Sequence, residues 1–263
     1  MNAPSSAAPP GFIVLAPGLL RPDWALPSGV RALVTTREGG ASAPPYASFN
    51  LGRHVGDDPA AVELNRARLR AALGAQPLWL DQVHGCAVAD ADHAAGVPVA
   101  DAAVARSPRR ACAVLTADCL PVLLCDDEAG VVAAAHAGWR GLAAGVLERA
   151  VASMGVAPGQ VRAWLGPAIG PQAFEVGDEV RAAFVDADGG AAAAFMPGVA
   201  AGKWFADLFA LARRRLAAAG VERVAGGGVC TVSDPQHFYS YRRDGRSGRF
   251  ASLIWIEAGP GER

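Results

Sequence analysis

The stretch VVAAAHAGWRGL, residues 131–142, combines an apolar run with a glycine-containing turn, and the same two features recur along the chain. Its apolar run predicts a buried strand over 130–136 that ends at His136. Gly-Trp-Arg-Gly follows, and apolar residues then recur at helical spacing up to Gly155, which predicts a helix over 141–154. The sequence therefore places a histidine between a strand and a helix.

Further elements follow the same rules. Short apolar runs bounded by turn residues predict strands near 31–36, 86–90, 111–116, 121–125, 161–165, 228–232 and 250–256. Helices are predicted over 58–73, 178–186 and 203–219, the first with Asp58 as N-cap and Gly74 as its stop. Strands outnumber helices and several connections are too short for a helix. This favours a single α+β domain with mixed, largely antiparallel sheets.

Composition limits the classes of protein that the chain can be. Of its 263 residues, 52% are hydrophobic and the net charge is −1, so no global basic field favours nucleic acid. The five cysteines form no C-x-x-C pair, which is typical of a reduced, cytoplasmic protein. No run predicts a signal peptide or a membrane span. Residues 1–10 and 258–263 are expected to be flexible tails around one catalytic domain over 11–257.

Three residues that could carry chemistry lie at predicted element ends. They are His84 in WLDQVHGC, Cys119 in TADCLPV and His136. Two imidazoles and one thiolate are a donor set that zinc favours, with a fourth position left for water or substrate. Their irregular spacing does not decide the question. A hydrogen-bonded structural histidine fits His136 equally well, and a small buried residue fits Cys119 better when it is taken alone.

Arginine-rich turns are the second candidate feature. YRRDGRSGR (241–249) combines four arginines with two glycines, and TTREGG (35–40) places Arg37 beside a glycine turn. Each fits a solvated turn or an anion-binding loop, because guanidinium groups bind phosphate oxygens in pairs. The run RRR (213–215) fits a solvated helix surface.

Taken in order, several motifs together resemble one known family. They are VTTREGG, SFNLGRHVGDDP, DQVHG, TADCLPVLL, AAHAGWRGL, GPAIGPQAFEVGDEV and YSYRRDGRSGR. They resemble the laccase-domain family, formerly called polyphenol oxidase and now described as purine nucleoside phosphorylases, over about residues 30 to 256. The resemblance implies a single layered α/β/β/α domain with zinc held by His84, Cys119 and His136. It also implies phosphorolysis of adenosine, inosine, guanosine and S-methyl-5′-thioadenosine, and deamination of adenosine.

The implied reaction suggests roles for further residues. Phosphate needs cationic side chains, the sugar needs hydrogen-bonding groups, and the departing base needs a proton. We expect Asp118 to transfer protons beside Cys119. Trp139 and Phe174 fit either stacking on the base or core packing. The candidates for phosphate and sugar binding are Arg37, Asn50, His54, Arg242, Arg243 and Arg246.

Other functions remain open on the sequence. A hydrolase could use Cys119 as nucleophile with a histidine base, and a binding module could hold a purely structural zinc. A copper polyphenol oxidase is disfavoured because the chain has five histidines and no His-X-His pair. The expected partners are purine nucleosides and inorganic phosphate, without nucleic acid or membrane. The expected assembly is a monomer or weak homodimer.

Overall fold

The computed structural model describes residues 8–259, which form two six-stranded sheets, one three-stranded sheet and helices. The strands are β1 (Phe12–Ala16), β2 (Leu19–Pro22), β3 (Val30–Thr35), β4 (Gln76–Leu78), β5 (Val88–Asp90), β6 (Ala102–Ala105), β7 (Arg110–Thr116), β8 (Leu120–Asp126), β9 (Val132–Ala137), β10 (Val161–Leu165), β11 (Glu175–Gly177), β12 (Phe195–Pro197), β13 (Lys203–Ala206), β14 (Arg223–Gly226) and β15 (Phe250–Ile256). The α-helices are α1 (Pro59–Leu73), α2 (Trp139–Ala143), α3 (Val146–Met154), α4 (Asp178–Val185), α5 (Leu208–Ala218) and α6 (Tyr241–Asp244). Short 3-10 helices cover Arg53–Val55, Pro158–Gln160 and Gly189–Ala194.

Most neighbouring strands run antiparallel. The first sheet has the order β1-β2-β3-β15-β7-β4 and the second has the order β14-β10-β8-β9-β6-β5. Parallel pairs occur at the edges, where β4 joins β7, β5 joins β6 and β14 joins β10. The third sheet, β11-β13-β12, is antiparallel throughout. The prediction of mixed, largely antiparallel sheets is confirmed.

The two large sheets pack face to face, with helices on both outer faces. In β8, Leu123 faces the other sheet while Leu124 faces the helices, as the two-residue period of a strand requires. Leu69 of α1 covers the first sheet, and Leu147 of α3 and Leu211 of α5 cover the second. Apolar burial on three interfaces therefore holds the predicted α/β/β/α layers together.

The helix predicted over 141–154 is wrong as one continuous element. It consists of α2 and α3, separated at Gly145, which adopts φ 93° and so interrupts the helical backbone. Helix α2 also begins earlier than predicted, directly after Gly138. The strand predicted before it is confirmed as β9.

Two other predictions need correction. The helix predicted over 203–219 begins only at Leu208, because Asp207 caps it by accepting from Ala210 N at 3.0 Å, and 203–206 form β13. No strand lies at 228–232, where Cys230 makes one isolated bridge to Ala168. The glycines at 226–228 have φ of 71°, 85° and 88°, which takes the backbone out of the extended region.

The helices predicted over 58–73 and 178–186 agree with α1 and α4, whereas the short helix α6 was not predicted. Helix α1 begins after Asp58, whose carboxylate accepts from Ala60 N, and ends at left-handed Gly74. The predicted tails lie mostly outside the described residues, so they stay predictions, as do the domain limits 11–257. Within 8–259, no helix combines the length and the apolar character needed to cross a bilayer.

Candidate metal centre

Two of the three candidate ligands lie where the chain crosses from one large sheet to the other. The segment from β4 to β5 carries His84, and the segment from β7 to β8 carries Cys119. Because β4 and β7 are neighbouring parallel strands, their carboxyl ends lie side by side. Both connections therefore leave the first sheet at the same end of its strands. His84 and Asp118 adopt φ of 60° and 89°, a conformation that non-glycine residues adopt at a cost in free energy.

His136 lies inside β9 of the second sheet, near the point where these two connections enter that sheet. Strands β8 and β9 are antiparallel, so the start of β8 lies beside the end of β9, with Leu120 paired to Ala137. The ligand atoms of His84, Cys119 and His136 all lie within 4.8 Å of one another. His136 is buried and His84 is exposed, so the group is open on one side.

A buried carboxylate holds this group together. Asp101, which directly precedes β6, accepts from His136 Nδ1 at 2.8 Å. It also accepts from three backbone N–H groups of the His84 loop: Val83 at 3.2 Å, His84 at 2.9 Å and Gly85 at 2.6 Å. Its pKa is lowered, because these hydrogen bonds to His136 and the loop outweigh the opposing effect of burial.

The thiol and the imidazole shift each other's ionisation. Burial alone would raise the pKa of Cys119, but the charge of His136 and hydrogen bonds from His136 and His84 lower it to about 6. Burial alone would lower the pKa of His136, but the Cys119 thiolate and the hydrogen bond to Asp101 raise it to about 9. Without a metal, the pair therefore favours thiolate and imidazolium.

Two glycines of the opening stretch let the backbone approach the ligands. A Cβ on Gly138 would lie 2.9 Å from both Cys119 Sγ and His84 Cδ2. A Cβ on Gly141 would lie 2.8 Å from Gly85 O. Neither glycine has positive φ, so they are required for close approach and not for a turn.

The donor set fits a zinc ion. With Zn–S of about 2.3 Å and Zn–N of about 2.1 Å, tetrahedral geometry puts sulfur and nitrogen about 3.6 Å apart. His84 Nε2 and Cys119 Sγ are 3.7 Å apart. Since Asp101 engages Nδ1 of His136, Nε2 is the atom left for a metal, which is the usual arrangement for a ligating histidine. Within residues 8–259 the group contains three such side chains, so a tetrahedral zinc held by them would have its fourth position left for water or substrate.

A cavity of about 160 Å³ adjoins Cys119. It is lined by Ala117, Asp118, Cys119, Trp139, Ile169, Phe174, Leu208, Tyr241 and Arg242. Trp139 is partly exposed, whereas Phe174 is buried and packs in the core while contributing to the wall. The carboxylate of Asp118 accepts from Thr231 Oγ1 at 2.6 Å and from Arg242 N at 2.7 Å. Asp118 therefore fastens the arginine-rich segment to the cavity.

The arginines of 241–249 differ in what they contact. Arg242 lines the cavity and bonds the carbonyls of Ala173 and Glu175 at 3.3 and 3.2 Å. Arg243 points into its own loop. Its guanidinium bonds the carbonyls of Thr231, Val232 and Phe238 and the carboxylate of Asp244.

Arg246 and Arg37 lie near a second segment, residues 46–48. Arg246 donates to the Tyr46 hydroxyl at 3.3 Å and lies 5.9 Å from its ring centroid. Arg37 bonds the carbonyls of Ala47 and Pro235 at 3.2 and 3.0 Å.

The two candidates for sugar binding lie in different surroundings. Asn50 is fully buried, where it donates to Asp57 and Gly52 and accepts from the backbone N–H groups of Gly52 and Arg249. His54 is exposed. Neighbouring atoms still remove part of the water around its ring, and this partial desolvation, with the charges of Arg249 and Arg66, lowers the pKa of His54 and favours the neutral imidazole.

Residues 31–257 match the family described as multi-copper polyphenol oxidoreductase laccase. The chain belongs to this laccase-domain family. The described part of this laccase-domain protein contains one group of three or more possible metal-ligating residues, His84, Cys119 and His136.

Relatives and solved structures support the same family. The chain is 58% identical to a purine nucleoside phosphorylase of Pseudomonas aeruginosa, over 90% of this chain and 98% of the relative. It is 52% identical to purine nucleoside phosphorylase YfiH of Escherichia coli K12, with the same coverage. A Neisseria meningitidis protein of solved structure, NMB0706, superposes with a TM-score of 0.89 at 50% identity, over 92% of this chain and all of the other.

Two residues near the candidate metal centre of this laccase-domain protein were not predicted from the sequence as site residues. One is Asp101, a lone carboxylate before an alanine-rich run, to which no role was assigned from the sequence. The other is Arg249, the last arginine of the 241–249 motif, whose Cζ lies 6.0 Å from the ring centroid of the cavity residue Tyr241. Burial lowers the pKa of Arg249, and the negative charges of Cys119 and Asp118 counter that shift.

Proposed function

We propose that this protein is a zinc-dependent purine nucleoside phosphorylase, converting a purine nucleoside and phosphate to the free base and ribose 1-phosphate. The observation that carries the proposal is the group of His84, Cys119 and His136 beside the cavity. Relatives that are 52% and 58% identical to this chain are named purine nucleoside phosphorylases. Adenosine, inosine, guanosine and S-methyl-5′-thioadenosine are the proposed substrates, with adenosine deamination as a second activity.

Zinc is proposed as the metal, held by Nε2 of His136, a ring nitrogen of His84 and Sγ of Cys119. The mixed nitrogen and sulfur donor set supports zinc. The single three-residue group among residues 8–259 is poorly suited to a set of several coppers. A bound zinc ion supplies Lewis acidity toward the purine and toward water.

The side chains around the cavity supply binding and charge stabilisation. Trp139 and Phe174 offer aromatic surface to a purine. Phosphorolysis brings a phosphate anion to C1′ while positive charge develops on the ribose. We assign phosphate binding to Arg242 and Arg249, with Arg37 and Arg246 as further candidates.

The remaining candidates act through hydrogen bonds. Asp118 is proposed to exchange a proton with the departing base, because it lines the cavity beside Cys119. The neutral imidazole of His54 is proposed to bind the sugar. Asn50 is proposed to position Arg249, because its side-chain oxygen accepts a hydrogen bond from the backbone N–H of Arg249. Arg243 is proposed to stabilise the segment from Thr231 to Phe238, whose carbonyls it bonds.

Product chromatography with adenosine tests the proposal. Purified protein with phosphate should give adenine and ribose 1-phosphate, and protein without phosphate should give no ribose 1-phosphate. Inosine from adenosine would demonstrate the deaminase activity. Absence of any phosphate-dependent product from all four nucleosides, with zinc present at one ion per chain, would overturn the proposal.

A matched pair of variants tests phosphate binding. Arg249→Gln should raise KM for phosphate roughly 10- to 100-fold, since a charge-assisted hydrogen bond contributes about 1.5–3 kcal/mol. Arg106→Gln is the control, because Arg106 follows the far end of β6 from Asp101. An unchanged KM for phosphate in Arg249→Gln would exclude Arg249 from phosphate binding.

A cysteine hydrolase is the second candidate, favoured by one observation. The charges of Cys119 and His136 stabilise each other, and His136 Nδ1 hydrogen-bonds Asp101, which is the order of a thiol–imidazole–carboxylate triad. The test is inactivation by iodoacetamide. Ester hydrolysis by metal-free protein, lost on alkylation and protected by neither zinc nor nucleoside, would favour the hydrolase over the phosphorylase.

A cytoplasmic location is also proposed. All five cysteines are unpaired, which is typical of a reducing compartment.

A further inference from the structure

The carboxylate of Asp101 contacts both histidine segments of the metal centre. It has no exposed surface and lies at the start of β6, opposite the end of β9. Four hydrogen bonds reach it, one from the ring of His136 and three from the backbone of residues 83–85. Each of its two oxygens accepts two of them.

These contacts determine which atoms face the metal. The Nδ1 of His136 must carry the proton that it donates to Asp101 Oδ1, which leaves the lone pair of Nε2 free as ligand. On the other side, Oδ2 holds the N–H groups of Val83 and Gly85, and Oδ1 also holds that of His84. This fixes a loop in which His84 has left-handed φ.

We propose that Asp101 is the positioning residue of the metal centre, locking the His136 tautomer and the His84 loop with one carboxylate and so setting the affinity for the metal. This inference rests on the zinc centre of the proposed function. Asp101 is not among the residues that line the cavity, so its effect on catalysis is exerted through the two histidines.

The isosteric amide separates the two tasks of the carboxylate. In Asp101→Asn, an oxygen placed toward His136 leaves an NH₂ facing the N–H groups of Val83 and Gly85. The reverse orientation leaves an NH₂ facing Nδ1 of His136. Nδ1 must then accept a hydrogen bond, so the imidazole takes the tautomer with its proton on Nε2, the ligand atom. Either orientation removes part of the arrangement, and loss of such a partner typically lowers metal affinity 10- to 100-fold.

Asp126→Asn provides a matched control. Asp126 is also buried and also accepts a backbone N–H, from Val131 at 2.9 Å, but it lies at the opposite end of the β8–β9 hairpin. A general loss of stability would affect both variants, whereas the positioning role affects the metal affinity of Asp101→Asn alone.

The experiment is zinc titration of metal-free protein against a chromophoric chelator, with cobalt spectra as a second readout. We expect a 10- to 100-fold weaker Kd and an altered cobalt d–d band for Asp101→Asn, with the wild-type Kd and band for Asp126→Asn. Equal zinc affinities for wild type and Asp101→Asn would overturn the inference. Failure of the wild-type protein to bind zinc would instead overturn the zinc centre of the proposed function.

If Asp101→Asn does not fold, the wild-type protein still decides. Imidazole nitrogen NMR of the metal-free protein should show His136 with a slowly exchanging Nδ1 proton at low field. A rapidly exchanging Nδ1 proton, or a neutral Nε2–H tautomer, would contradict the inference.

Discussion

The two ends of the β8–β9 hairpin contain similar residues but differ in chemistry. At one end, termed the metal end, Cys119, Asp101 and His136 meet beside Gly138. At the other, termed the turn end, Cys125 and Asp126 lie near Gly130. Each end has a cysteine, a buried carboxylate and a glycine, so residue type alone does not determine function.

The surroundings of the two thiols account for the difference. Cys125 is fully buried, no cationic side chain of residues 8–259 hydrogen-bonds it, and burial raises its pKa to about 12. At the metal end, His136 and His84 outweigh the effect of burial and lower the pKa of Cys119 to about 6. Left-handed backbone does not distinguish the ends, because Ala129 at the turn end has φ 59° and Asp118 at the metal end has φ 89°. Histidine partners and an open cavity make the metal end a candidate site.

The largest difference is expected from truncating the two cysteines. Cys119→Ala removes a proposed ligand, so zinc and phosphorolysis should be lost together, with activity reduced roughly 10³-fold or more. Cys125→Ala should keep both and lose about 1–2 kcal/mol of unfolding free energy through the cavity it leaves. Metal analysis, product assay and denaturant titration check this. Full phosphorolysis from a metal-free Cys119→Ala protein would contradict it.

A smaller difference is expected from adding one methyl group at each end of β9. In Gly138→Ala the new Cβ lies 2.9 Å from Cys119 Sγ and His84 Cδ2, whereas in Gly130→Ala its nearest contact is Asp126 Oδ2 at 3.6 Å. Overpacking typically costs 1–3 kcal/mol, which corresponds to roughly 10- to 100-fold in zinc affinity for Gly138→Ala. Gly130→Ala should bind zinc as the wild type does. Chelator competition measures both, and equal affinities would show that Gly138 is not required for close approach.

The smallest expected effect concerns alkylation of the metal-free protein. A thiol whose pKa is lowered to about 6 is mostly thiolate at pH 7 and mostly protonated at pH 5. The rate of Cys119 alkylation by iodoacetamide should therefore rise about tenfold from pH 5 to pH 7 and change little above it, while Cys125 stays unlabelled. Peptide mass spectrometry measures this. A rate that keeps rising through pH 8.5 would show an ordinary thiol.

The amino-acid sequence allowed part of this centre to be predicted. His84, Cys119 and His136 carry donor atoms of the types that zinc favours and lie at predicted element ends, so the sequence offered them as candidates and the family resemblance implied the set. The structure brings their ligand atoms within 4.8 Å of one another. Asp101 could not be assigned, because the strand after it, β6, consists of Ala-Ala-Val-Ala and has little β-propensity. Its role depends on pairing between β6 and β9, which is a long-range contact.

The arginines show the same limit. Arg243 and Arg249 share one motif, and both donate to backbone carbonyls, Arg243 to Thr231 and Phe238 and Arg249 to Ser247 and Gly248. Arg249 also lies against Tyr241, with its Cζ 6.0 Å from the ring centroid. The backbone of Arg249 is held by a hydrogen bond from its N–H to buried Asn50, a contact between residues 199 positions apart that the motif does not reveal. The strand prediction over 228–232 failed for a related reason. The glycines at 226–228 have left-handed φ, which an apolar sequence pattern does not reveal.

Zinc-edge X-ray absorption of the purified protein shows which atoms bind the metal. We expect one zinc ion per chain with one sulfur at about 2.3 Å, two imidazole nitrogens at about 2.0–2.1 Å and one further light atom. A spectrum without sulfur, or one with two or more sulfurs, would contradict the assignment of His84, Cys119 and His136 as the metal centre.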